Sequence, residues 1–239
     1  MMSKIFSEFF RIIRSLPQIA LRKKTPIIFL DYNRNIPISS SFGSERGTTV
    51  DRYYIQQFLK ENSHLIQGTV LEIADSYYSN RYGGEKVERF EVLHLTPDNP
   101  KATIIGDLTD KSTLPINKVD CFICTQTFNF IFEVQKAIEG AYYLLKPGGF
   151  LLASVAGIIQ ISRYDMDRWG DYWRFTNASI QKLFEPIFPK FEVKTWGNVL
   201  AATALLQGIC VEDIPDKTLL DEHDNDYQAV ITIVARKTK

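Results

Sequence analysis

Residues 119–154, VDCFICTQTFNFIFEVQKAIEGAYYLLKPGGFLLAS, constrain the fold more than any other stretch. An apolar run contains one acid, Asp120, and closes on Thr125-Gln126-Thr127. Glu133 to Leu145 then repeats apolar residues at helical spacing, and Phe150 to Ala156 forms a second apolar run. Between them stands Lys146-Pro147-Gly148-Gly149. Proline and paired glycines end a helix and turn the chain. The pattern predicts strand, helix, strand.

The same reading extends over the chain. Gly68 marks a turn before a first strand at 70–74. Further strands are predicted at 90–95, 102–105, 119–124 and 149–156, with two late ones at 191–196 and 229–235. Helices are predicted over 49–62, 133–145 and from 179 to 184. Alternating strands and helices give an α/β fold: a Rossmann-like, seven-stranded, mostly parallel sheet with helices on both faces. Residues 70–74 and 119–124 are expected to be adjacent central parallel strands. Residues 49–239 form this domain, 25–48 are a linker or lid, and 1–24 an N-terminal helical extension.

Basic and acidic residues balance at 28 each, so overall charge points to no polyanionic partner. The start of the chain is different: Lys4, Arg11, Arg14, Arg22, Lys23 and Lys24 face only Glu8. Ile5, Phe6, Phe9, Ile12, Ile13 and Leu16 share one face of a helix that Pro17 stops. Such a basic amphipathic helix lies on an anionic membrane surface, or packs on the domain or a partner. Three cysteines make no disulfide framework. Cys121 and Cys124, three apart on a strand, face opposite sides and read as core. The dispersed histidines, His64, His94 and His223, have no metal-ligand spacing, so no metal is expected. No run approaches the length of a membrane span, and no signal peptide is evident. A cytoplasmic setting is expected, with peripheral contact at the inner membrane face through residues 1–24.

The acid-containing strand followed by LKPGG at this spacing resembles the fourth and fifth strands of class I S-adenosylmethionine (SAM)-dependent methyltransferases. That resemblance implies SAM as cofactor, bound beyond the carboxyl ends of the strands. It places Glu72 and Ala74 at the end of the first strand, where Ala74-Asp75-Ser76 stand in place of a glycine-rich loop. At the end of the second strand it puts His94, able to make one bond to a ribose hydroxyl where relatives carry an acid, or structural instead. It sets Asp107 and Leu108, after Gly106, at the adenine. Gln126 and Thr127 would line the methionine end and the methyl-transfer channel. Arg46, beside glycines, either pairs with the methionine carboxylate or is linker charge.

Residues 163–175, RYDMDRWGDYWRF, hold three arginines, three aspartates and five aromatics. Together with the following threonine the string resembles a subgroup of bacterial methyltransferases found among glycan-biosynthesis functions. Aromatic faces stack on sugars or cations, and arginines clamp anions. Arg163, Arg168, Trp169, Trp173 and Arg174 are therefore candidates for binding a small-molecule or carbohydrate-like acceptor. Asp165, Asp171, Tyr164 and Tyr172 are candidates for catalysis, with an aspartate taking a hydroxyl proton. The alternative is a lid pinned by internal ion pairs. Interleaved aspartates oppose a phosphate track, so no nucleic acid is expected. The expected activity is SAM-dependent methyl transfer to oxygen. The competing readings are a catalytically silent methyltransferase-fold binding module and a dinucleotide oxidoreductase, which would need the absent G-x-G-x-x-G.

Overall fold

The computed structural model describes residues 35–238, so the expected helix over 1–24 lies outside the described residues. Seven strands form one sheet: β1 (Gly68–Ile73), β2 (Val87–His94), β3 (Ile104–Ile105), β4 (Val119–Thr125), β5 (Leu145–Ala156), β6 (Lys190–Trp196) and β7 (Val230–Arg236). Their spatial order is β3-β2-β1-β4-β5-β7-β6. Only β7 runs in the direction opposite to the other six strands. Among the described residues the helices are α1 (Val50–Glu61), α2 (Val134–Leu144), α3 (Arg163–Met166), α4 (Asn177–Phe184) and α5 (Val199–Gln207).

β1 and β4 lie side by side, with Val70 opposite Cys121 and Leu71 opposite Phe122. Both faces of the sheet are covered, so the central strands read as continuous apolar runs. On one face Leu71, Phe122 and Cys124 pack with Ala137, Ile138 and Ala141 of α2 and Ile180 and Phe184 of α4. On the other, Val70, Cys121 and Ile123 pack with Tyr54, Ile55 and Phe58 of α1 and Ala201, Ala204 and Leu205 of α5. Cys121 and Cys124 thus occupy opposite cores.

Sequence reading missed α5. Its apolar residues are not confined to one stripe, although its ends carry recognisable signals. Asn198 caps the first turn through the Ala201 amide at 3.0 Å, and Gly208 ends it in the left-handed region at φ +65°. The described part of the 25–48 segment docks here, with the Ile38 amide donating to the Gln207 carbonyl at 2.8 Å.

The LKPGG turn differs from expectation. α2 stops at Leu144, and Leu145 already pairs with Val119 as the first residue of β5. Lys146–Gly149 then bulge outward before Phe150 pairs with Cys121. Asp120 explains the spacing: it accepts from Lys146 Nζ at 2.7 Å and from the Thr69 amide at 2.8 Å. A Cβ at Gly149 would lie 2.9 Å from the Asp120 carbonyl. The acid and the glycine therefore weld the amino ends of β1, β4 and β5, opposite the ligand-binding end.

At the other end, helix α2 sets the loop after β3. A Cβ on Gly140 would sit 2.0 Å from the Leu108 carbonyl oxygen, so only glycine permits this approach. Gly140→Ala is expected to destabilise the chain by roughly 1–3 kcal/mol, the cost of overpacking, despite alanine's better helix propensity. Thermal unfolding checks this; an unchanged or raised Tm would contradict the packing.

Candidate active site

The strand order reverses between β1 and β4, and ligands of open α/β sheets bind beyond the carboxyl ends at such a point. The β1 exit is built around a buried acid. Glu72 accepts the Tyr78 amide at 3.0 Å and the Ser79 amide at 2.5 Å. Burial pushes its carboxyl above the ordinary carboxylate range, and these bonds pull it back. The chain between them is tightly wound. Ala74 adopts φ +67°, a conformation that costs a non-glycine residue about 1–2 kcal/mol. Its amide donates to Leu93, that of Asp75 to Ile73, that of Tyr77 to the Asp75 carboxylate, and that of Asn80 to Ser76. Among residues 74–80, only the Ser76 amide lacks an acceptor among the described residues.

At the β2 exit, His94 Nδ1 lies 2.8 Å from the Thr96 carbonyl, committing that nitrogen to the turn. Its ring meets the edge of Trp169 at 6.1 Å. At the β3 exit, Asp107 Oδ1 accepts the Thr109 amide and hydroxyl at 2.7 and 2.8 Å, an Asx turn that leaves Oδ2 open. The Leu108 side chain is buried in the α2 core, and its amide has no acceptor among the described residues.

The β4 exit carries the most conspicuous polar groups. Gln126 stands at φ +49°, its amide fixed by the Ser154 carbonyl at 2.8 Å. Its Nε2 is buried without a partner, and so is Oδ1 of Asn129, a residue 2 % exposed. Thr127 Oγ1 turns back to the Thr125 carbonyl at 3.1 Å. Asn129, which sequence reading did not single out, also receives the Tyr172 and Trp173 amides on its own carbonyl.

That last contact anchors residues 162–175, which run from the β5 exit to His94 as a strap across the crevice. Several candidates prove to be its internal ties. Arg174 pairs with both oxygens of Asp171 at 2.5 and 2.8 Å and donates to the Ile159, Gln160 and Trp173 carbonyls. Asp171 also accepts the Ser162 amide at 2.9 Å. Residues 170–175 are irregular, and the pair closes around an Arg fork. Both residues thus tie the strap internally, the arrangement of the pinned-lid reading. Trp173 donates its indole N–H to the Ile131 carbonyl at 3.1 Å and stacks on Phe132. Arg46 is likewise occupied: its fork holds Asp213 at 2.8 and 3.1 Å, stapling the 39–49 segment to the turn after α5.

Other strap residues face outward. Tyr164 and Tyr172 are about half exposed. Arg168 lies 3.6 Å over the Tyr164 ring, and Tyr172 meets exposed Phe132 edge-on at 5.5 Å. Arg163 makes a loose exposed pair with Asp167 at 3.6 Å. Asp165 alone among the strap acids combines partial burial with an open oxygen: Oδ2 accepts the Ser162 hydroxyl at 2.5 Å, and Oδ1 has no partner among the described residues. Burial pushes its carboxyl up; the Ser162 bond opposes this, the Asp171 charge adds to it, and Arg168 and Arg52 pull it down. Arg52, on the first turn of α1, donates to the Tyr78 hydroxyl at 3.1 Å. Sequence reading gave neither Arg52 nor Tyr78 a role, because only the fold brings α1, the β1 exit and the strap together.

A methyltransferase-domain family model matches residues 69–153, from the start of β1 into β5. No curated protein matches the chain in sequence. Among solved structures, a SAM-dependent methyltransferase from Archaeoglobus fulgidus superposes with TM-score 0.52 at 11% identity, covering 80% of this chain and 96% of that one. YcgJ from Bacillus subtilis gives 0.51 at 11%, covering 78% and 99%. Phosphoethanolamine N-methyltransferase 2 of Haemonchus contortus, solved with S-adenosyl-L-methionine, gives 0.54 at 14%, covering 88% of this chain and 55% of that one. The match identifies a methyltransferase-like domain over residues 69–153, for which S-adenosyl-L-methionine is the expected cofactor, and the solved structures show the shared fold.

The residues present fit that cofactor. An open Asp107 oxygen and the Leu108 amide suit an adenine, which offers both donors and acceptors. Unpaired buried groups on Gln126 and Asn129 are costly unless a ligand completes them.

The pinned-lid reading is testable. Arg174→Ala leaves the Asp171 carboxylate, 1 % exposed, with a single amide donor. A loss of roughly 2–4 kcal/mol is expected, near the range for breaking a buried pair. Denaturant unfolding measures it; a loss of turnover at unchanged stability would place Arg174 at the acceptor.

Proposed function

We propose that this methyltransferase acts on an oxygen of a small, carbohydrate-like acceptor, with Asp165 as the general base. The observation that carries the reading is the Asp165 carboxylate, held on the strap by Ser162 with Oδ1 open. When bound, SAM supplies an electrophilic methyl group on a sulfonium. Asp107 and Leu108 hold the adenosine end, and His94 Nε2 is available to one ribose hydroxyl. Asp165 Oδ1 receives the acceptor hydroxyl proton, and its raised pKa makes it a better base than an ordinary aspartate. Positioning of the acceptor supplies much of the rate.

Exposed aromatic faces at the mouth support a carbohydrate-like acceptor. Phe132 and Tyr172, from the β4 and β5 exits, meet at an angle that offers a ring face to a sugar. Tyr164 with Arg168, Arg163 and Trp169 continue this rim. The glycan-biosynthesis resemblance of the strap string agrees with it. A second reading, a binding module without transfer, is favoured by the nearly fully engaged amides of the β1 exit, where only that of Ser76 is open among the described residues. SAM binding with no turnover on any hydroxyl-bearing acceptor would select it.

No helix among the described residues is long and apolar enough to cross a membrane. The basic, amphipathic sequence of residues 1–24 would hold the enzyme on an anionic surface at the inner face of the membrane. Full-length protein is expected to co-sediment with anionic vesicles in a salt-sensitive way, and protein lacking residues 1–24 is not. Equal partition of the two forms would rule out this role.

Asp165→Asn tests the base. Because the folded pKa is raised, the group favours folding below its unfolded pKa, and that contribution is lost as pH rises through the folded value. At neutral pH the charge therefore costs stability, and asparagine removes the cost while keeping an acceptor for Ser162. The variant should lose about 10²–10⁴-fold in methyl transfer with Tm unchanged or higher. Wild-type turnover should fall with acidification through a pKa above the ordinary aspartate range. Retained turnover in the variant would remove Asp165 from catalysis.

A further inference from the structure

The amino-acid end of the cofactor is a zwitterion: its carboxylate needs donors and its ammonium needs acceptors. Backbone amides of the loop after β1 are a natural source of donors, but here all except that of Ser76 are occupied. Ala74, Asp75, Tyr77, Tyr78, Ser79 and Asn80 all donate within the loop, to β1 or to β2. Arg46, the other expected carboxylate partner, is held by Asp213. Side chains of the neighbouring strand ends can supply the recognition chemistry.

The β4 exit has it. Gln126 Nε2 is a buried donor with no acceptor, and Asn129 Oδ1 a buried acceptor with no donor. They have opposite polarity, stand three residues apart, and follow the strand beside β1 at the order reversal. Neither segment is free to relax away. The Ser154 carbonyl pins the Gln126 amide despite its positive φ. The Tyr172 and Trp173 amides pin the Asn129 carbonyl. Two unpaired buried groups of complementary sign in fixed backbone are a built site for a ligand that both accepts and donates.

We infer that Gln126 Nε2 and Asn129 Oδ1 form a two-residue clamp for the zwitterionic end of the cofactor, the first on its carboxylate and the second on its ammonium. The inference rests on SAM being the cofactor. It transfers to side chains a task for which the glycine-poor loop has one amide left. The clamp also makes affinity depend on the amino-acid moiety rather than on the nucleoside alone.

Calorimetry on the full chain tests it with two probes, S-adenosylhomocysteine and 5′-methylthioadenosine, which lacks the amino-acid end. Gln126→Met and Asn129→Leu should each weaken S-adenosylhomocysteine about 10–100-fold, the worth of one hydrogen bond to a charged group. Binding of 5′-methylthioadenosine should stay within about threefold of wild type, and Tm should hold or rise. Asn129→Asp keeps an acceptor in place and should retain S-adenosylhomocysteine binding, which guards against a folding failure of the leucine variant. Equal weakening of both probes, or unchanged binding of both, overturns the clamp. Wild-type protein that binds neither probe would instead overturn the cofactor assignment itself.

Discussion

The site depends on one buried carboxylate. Glu72 lies near the end of β1 inside the domain and accepts the two backbone amides of Tyr78 and Ser79. A buried carboxylate lacking such donors would be prohibitively costly. The loop after β1 must therefore coil back on the strand within a few residues. That coil forces Ala74 into the left-handed region and closes Ser79–Gly83 as a single π-helical turn. It also delivers the Tyr78 hydroxyl to Arg52 on α1. Helix, loop and strap thus meet because of a bond pattern set at the strand end.

The strap depends on a second carboxylate in the same way. Asp171 is buried, and an Arg174 fork plus the Ser162 amide satisfy it. With that node fixed, Tyr172 and Trp173 reach the Asn129 carbonyl, and Trp169 reaches His94. Asp165 lies between these anchor points with one oxygen engaged. The strap's charge density thus divides between architecture and chemistry: the most buried acid holds the fold, and the partly buried one keeps an open oxygen.

The sheet was legible in the sequence because both its faces are buried. Apolar runs such as Val70–Ile73 and Phe150–Ala156, broken by glycine and proline, leave few alternatives to parallel strands. α5 was not legible by periodicity because its apolar residues do not form one stripe, and its caps, Asn198 and Gly208, carry the whole signal. The site was legible only in outline. Position along the strands located Asp107, Gln126 and the strap, since strand ends converge on the switch point. Partnership was legible only in part: internal ion pairs were one reading of the strap, but nothing in Arg46 announces Asp213. Asn129 resembles any polar loop residue until its burial is known.

The Asp120–Lys146–Gly149 weld clarifies what a recognisable motif reports. Its spacing is exacting because the bulge must clear the Asp120 carbonyl and return Phe150 to register with Cys121. These residues sit at the amino ends of the strands, far along the chain fold from the ligand-binding ends. The motif therefore testifies to the strand register, while chemistry is decided at the opposite ends, where residue identity is freer to vary. Register is what places Gln126 one residue beyond β4, against Ser154 of β5. A chain can consequently keep the weld, lose the glycines of the β1 exit, and still present polar groups to the same crevice from a different strand.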